Sequence, residues 1–185
     1  MSLQHLWAAE HFARLAIEYG AAHAGEPQRW VRHRSYVVTA VAESVAFLEA
    51  FIDELFQDAK DATDGVAGAQ APEGLDPEVV RLMAAYWNST RDGESIRTVA
   101  KYDAVRVFAG RPRSVAGCLP HQDLNRVVGL RNWSVHHRPT TFGHDEPDLR
   151  LEDARSRITP DNALMSETTN PWFPDKALGP GVLRV

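Results

Sequence analysis

The chain has 185 residues, 44% of them hydrophobic and 24% charged, with a formal net charge of -5. That length suits one domain with a real core, or one domain plus a tail, and argues against a second full domain. A lone cysteine, Cys118, excludes an internal disulfide and a cysteine-based metal cage, in keeping with a reducing compartment.

Leu3, Leu6, Trp7, Ala13, Leu15, Ala16 and Ile17 recur at helical spacing through Tyr19, and Gly20 is placed to end this first helix. The opening Met1 to His5 lacks a basic region followed by an apolar one, which argues against a secretory signal; the expected location is the cytoplasm. Pro27 suits the first turn of a second helix. Its apolar stripe runs from Trp30 through Tyr36, Val37, Ala40, Val41, Phe47, Leu48, Phe51, Ile52 and Leu55 to Phe56. At about 1.5 Å per residue this helix would be about 45 Å long, the spine of a bundle. Glu43 and Glu49 interrupt its apolar run, so a bilayer-spanning segment of about 20 uncharged residues is not expected, nor is a membrane partner.

From Asp61 to Gly74 the composition turns to Ala, Gly, Asp and Thr without periodicity, which predicts a loop. Asp76-Pro77-Glu78 combines a capping carboxylate, a proline at the first helical position and an acid in the first turn; Val79, Val80, Leu82, Met83, Tyr86 and Trp87 then make a short third helix. After a turn from Asn88 to Glu94, Ile96, Val99, Tyr102, Val105 and Phe108 mark a fourth helix, broken by Gly110 and Pro112. Leu124, Val127, Val128, Leu130 and Trp133 mark a fifth, which should stop just before Pro139. Beyond Thr140, prolines punctuate a polar stretch with few aliphatics, and Leu149-Arg150-Leu151 is placed to pair as a short strand. The pattern predicts an all-α fold: a bundle of four to five helices over residues 1–140, and an extended, mostly irregular Pro-rich tail over 141–185 packing on or near it.

Charge is unevenly distributed. Between Val105 and Pro139 stand Arg106, Arg111, Arg113, Arg126, Arg131 and Arg138 against Asp123 alone, so a basic segment sits in an acidic chain. Arginine's planar fork suits phosphate, although a solvated basic face explains the same pattern. Within this segment lies Arg131-Asn132-Trp133-Ser134-Val135-His136. On a helix Asn132 and His136 share a face and Arg131 borders it, about 100° away. An imidazole that exchanges protons near neutral pH, a guanidinium that holds phosphate and an amide that orients either one suit phosphodiester cleavage. No metal is needed if a ribose 2′-hydroxyl is the nucleophile, which points to RNA.

Arg131 through His137 resembles the R-x(4–6)-H signature of HEPN domains, with a polar residue after the arginine. Ser35 through Phe56 is similar to the long helix of a bacterial HEPN-like family. The resemblance covers about residues 1–140. It implies a helical bundle, a homodimer that joins two such motifs in one cleft, and metal-independent endoribonuclease activity of a defence or toxin type in many members. It implies no cofactor. Arg131, Asn132 and His136 inherit the catalytic roles; His137, Arg138, Arg126, Trp133 and Glu49 are candidate binding residues. The resemblance equally implies a noncatalytic dimer that binds RNA, a nucleotide or a protein partner, as other members do. Some toxins of the family carry a tyrosine two positions after the histidine, where a protein antitoxin acts; this chain has Arg138.

Simpler readings stand beside these. His136 and His137 suit a helix C-terminus, where a cation meets the last carbonyls. Adjacent histidines diverge on a helix, so His121, His136, His137 and His144 make no convincing metal set. Glu49 reads as part of a solvated face and Trp133 as core, against stacking on a base.

Overall fold

The computed structural model describes residues 1–23, 29–90, 96–114 and 121–135. Among them are five α-helices and no strand: α1 Ser2–Ala22, α2 Arg29–Asp64, α3 Pro77–Ser89, α4 Thr98–Phe108 and α5 His121–Val135. The expected all-helical class is observed. Pro27, Cys118, the tail 141–185 and the strand expected at Leu149-Arg150-Leu151 lie outside the described residues.

Two boundaries differ from expectation. Gly20 does not end α1, which continues to Ala22. One glycine inside a helix costs about 1 kcal/mol, which tertiary packing overrides, and here Gly20 lies against the imidazole of His33. The second helix does not stop at Phe56 but runs to Asp64, into the stretch expected to be a loop. Alanines and the Gln57–Asp61 side-chain hydrogen bond of 2.8 Å, one turn apart, favour the extra turns. Gly65 then ends α2 at φ +71°, with the Val66 N–H donating to the Asp61 carbonyl, six residues closed into one loop. Gly110 ends α4 the same way at φ +69°, with the Arg111 N–H donating to the Arg106 carbonyl. The start of α3 is as expected: the Asp76 carboxylate accepts from the Glu78 N–H at 2.8 Å, and Pro77 follows the cap.

Buried side chains on α2 recur at helical spacing along one stripe: His33, Val37, Ala40, Val41, Val45, Ile52, Phe56 and Ala59. One stripe therefore faces protein along most of a helix of 36 residues. By length and composition alone, Trp30–Asp64 is also apolar enough to cross a membrane despite Glu43 and Glu49, a property that core helices share.

The described chain forms two compact units. The first comprises Met1–Gln4 and Ala46–Asn125. Its core joins Ile52, Phe56 and Ala59 of α2 to Val79, Val80, Met83 and Trp87 of α3, with Tyr102, Val105 and Phe108 of α4 packed against them. Phe56 stacks on Trp87 with ring centres 5.2 Å apart, while the indole N–H donates to the Gln57 side-chain oxygen at 3.1 Å. From α4, the buried Lys101 ammonium donates to Asp53 at 2.6 Å and lies 5.0 Å from the Trp87 ring centre. The Tyr102 hydroxyl donates to the Leu48 carbonyl at 2.9 Å. At the other end, Glu54 accepts from the amino terminus and from the N–H and hydroxyl of Ser2.

The second unit comprises His5–Val45 and, among the described residues, 126–135. Ala9 and Ala16, seven residues apart, are buried on the inner line of α1. Tyr36 of α2 meets Tyr19 edge-on at 5.9 Å and Phe12 at 6.3 Å. His5 Nδ1 and the Glu43 carboxylate are 2.7 Å apart, tying the two helices at a third level.

Candidate functional site

The expected motif begins on the last turns of α5. Leu130 is buried in the second unit and fixes the rotation of the helix, and the Ser134 hydroxyl donates to the Leu130 carbonyl at 2.9 Å. With that line inside, Asn125, Gly129 and Asn132 fall on the exposed line, while Arg126, Arg131 and Trp133 are half-buried. The amide of the expected trio thus meets solvent. Arg126, Arg131 and Trp133 each interact with another group. His136, His137 and Arg138 lie outside the described residues.

Glu49, the remaining candidate, is half-buried on α2 in the first unit and not on a fully solvated face. Its carboxylate accepts from the Thr98 hydroxyl at 3.5 Å, at the start of α4. The arginines of the basic segment separate into two classes. Arg106, Arg111 and Arg113, at and after the end of α4, are exposed, whereas Arg126 and Arg131 on α5 are half-buried. The solvent-facing positive charge of the described segment is therefore concentrated next to α4, ahead of the motif.

The first unit also holds a group that residue spacing did not reveal. Asp103 of α4 accepts from the Ser114 N–H at 3.1 Å, and its other oxygen lies 3.9 Å from Nε2 of His121, the first residue of α5. On the opposite side of the imidazole, the Asn125 amide lies 3.1 Å from Nδ1 and also donates to the His121 carbonyl at 2.9 Å. The tautomer in which Nδ1 accepts from Asn125 carries its hydrogen on Nε2, the ring nitrogen beside the carboxylate. Burial works to raise the Asp103 carboxyl, but the hydrogen bonds from Ser114 and the nearby His121 and Arg113 outweigh it and hold the carboxyl below its ordinary range. Both side chains are mostly buried, so the group pins the first turn of α5 to α4. It was not legible in sequence because Asp103 and His121 lie on different helices and form no local motif.

Among the described residues, no three His, Cys, Asp or Glu side chains converge in a way that could hold a metal ion. Compared with models of known families, with characterised proteins and with solved structures, the chain matches none.

Proposed function

We propose that this chain is a HEPN-like helical protein that cleaves RNA without a metal, through Arg131, Asn132 and His136. The observation that carries the reading is the rotation of α5: buried Leu130 turns the motif's Asn132 to solvent, at the helix end from which the motif continues. An accessible amide beside a cation is what a substrate phosphate would meet first. In the proposed reaction the ribose 2′-oxygen attacks the adjacent phosphorus and the bond to the 5′-oxygen breaks, leaving a 2′,3′-cyclic phosphate and a 5′-hydroxyl. His136 takes the proton from the 2′-hydroxyl or supplies one to the departing oxygen, Arg131 stabilises charge on the phosphate, and Asn132 orients the imidazole or the phosphate. A homodimer that shared one cleft would supply two sets of these groups, so that base and acid need not be the same histidine. A role in defence, with a protein regulator, and a cytoplasmic location belong to this reading.

Cleavage of structured and unstructured RNA by purified protein in EDTA tests it, with Arg131→Ala and His136→Ala prepared identically and checked for folding. Activity that survives chelation and disappears in both variants is the expected result. The half-buried, engaged state of Arg131 favours a second reading, a noncatalytic dimer that binds RNA, a nucleotide or a protein at the same place. Folded protein with no cleavage in any of the three preparations replaces the first reading by the second.

A further inference from the structure

The outer face of α1 carries a pattern that neither the core packing described above nor the proposed cleavage uses. Leu3, Trp7, Glu10, Arg14, Ile17 and Ala21 are all exposed, and their spacing alternates four and three residues. At 100° per residue they lie within about 40° of a single line, about 130° around the helix from the line of Ala9 and Ala16 that faces the core. The apolar members are far out in solvent: Leu3 is 74% exposed, Trp7 67% and Ile17 50%. A seam of three heptads with apolar side chains on either side of two opposite charges is the signature of a helix that pairs with another helix.

The order of residues along the seam selects the partner. Turned end for end about the level of residue 12, the seam falls onto itself: Leu3 opposite Ala21, Trp7 opposite Ile17 and Glu10 opposite Arg14. Each large side chain meets a smaller one, and each charge meets its opposite, giving two Glu10–Arg14 pairs. A parallel copy would set Glu10 against Glu10 and Arg14 against Arg14 at the centre of the contact, a repulsive arrangement. Among the described residues Arg14 makes a 4.0 Å contact to Glu18 and a 3.4 Å contact to His11, both at the surface, so little is lost when it turns to a new carboxylate. We infer that the exposed face of α1 is a self-recognition surface that pairs two copies of this chain antiparallel, across a two-fold axis. The inference rests on α1 alone and does not depend on the proposed cleavage.

Charge reversal tests it with sedimentation equilibrium on the full chain. Wild type should dimerise as concentration rises. Glu10→Arg and Arg14→Glu, each alone, should weaken dimerisation at least about tenfold by placing like charges opposite each other twice. Mixed one to one, the two variants should associate again, because every facing pair is then opposite in sign; the doubly reversed chain E10R/R14E should dimerise like wild type. Rescue on mixing also separates loss of pairing from loss of folding. A wild type that stays monomeric throughout, a dimer indifferent to the single reversals, or single variants that do not recover on mixing would overturn the inference.

Discussion

Truncating Asp53 to alanine should destabilise the protein more than replacing its partner Lys101 with methionine, because the two halves of this ion pair are unequally buried. The Lys101 side chain is 8% exposed and that of Asp53 46%. At an effective dielectric of about 20, unit charges about 3 Å apart attract by about 5 kcal/mol, most of it cancelled by the water that the ammonium gave up. Lys101→Met keeps the unbranched stem against Trp87 and leaves behind a carboxylate that water can solvate, so its cost is the small net pair energy plus the cation over the indole, about 1 kcal/mol. Asp53→Ala leaves the ammonium buried without its counter-charge, at a cost of about 2 to 3 kcal/mol. In the Lys101→Met background the same alanine should cost almost nothing, which makes the coupling between the sites about 2 to 3 kcal/mol. Urea unfolding of the four proteins measures this directly, and at this chain length each kcal/mol corresponds to a melting shift of about 2 to 4 °C. Costs that add to within about 0.5 kcal/mol, or a larger loss from Lys101→Met than from Asp53→Ala, would refute the argument that burial of the ammonium sets the energetics.

Two further predictions concern pH. Burial, then the negative charge of Asp53, pushes the Tyr102 hydroxyl up from 10 to about 12. The folded state therefore prefers the neutral phenol, and the associated stability is complete below pH 10 and is lost as pH rises through about 12. Tyr102→Phe should cost about 1 kcal/mol near neutrality, from the lost hydrogen bond to Leu48, and should show a shallower alkaline decline; equal declines in urea midpoint would count against it. Hydrogen bonding to the amino terminus, then to Ser2, holds the Glu54 carboxyl at about 2 instead of 4.5. Its contribution is present above pH 4.5 and disappears as pH falls toward 2. The side chain is partly exposed, so the effect stays below about 1 kcal/mol. The stability gap between wild type and Glu54→Gln should narrow on acidification, and a gap constant with pH would show that the carboxylate charge is not involved.

The chemistry on α5 was legible to the extent that it is local. The periodicity of Leu124, Val127, Val128, Leu130 and Trp133 predicted the helix that carries Arg131 and Asn132, because a core-facing stripe and its polar flanks are written in consecutive residues. Which of the two would meet solvent was not written there: burial of Leu130 decided it. Arg126 and Arg131 looked equivalent to Arg106, Arg111 and Arg113 in a charge count, yet only the latter three are exposed.

The sequence by itself determined the elements whose signals act within a few residues. The Asp76-Pro77-Glu78 cap, the αL stop at Gly110 and the helical rhythm of α2 depend on backbone geometry and on one face seeking to leave water. The tertiary structure alone decided what depends on residues distant in the chain. It buried the Lys101 ammonium under Trp87 and beside Asp53, joined Asp103 to His121 and kept Gly20 within α1. In each case the deciding energy is the burial or pairing of a side chain by a partner on another helix or in another turn, and a propensity read along the sequence holds no term for that partner.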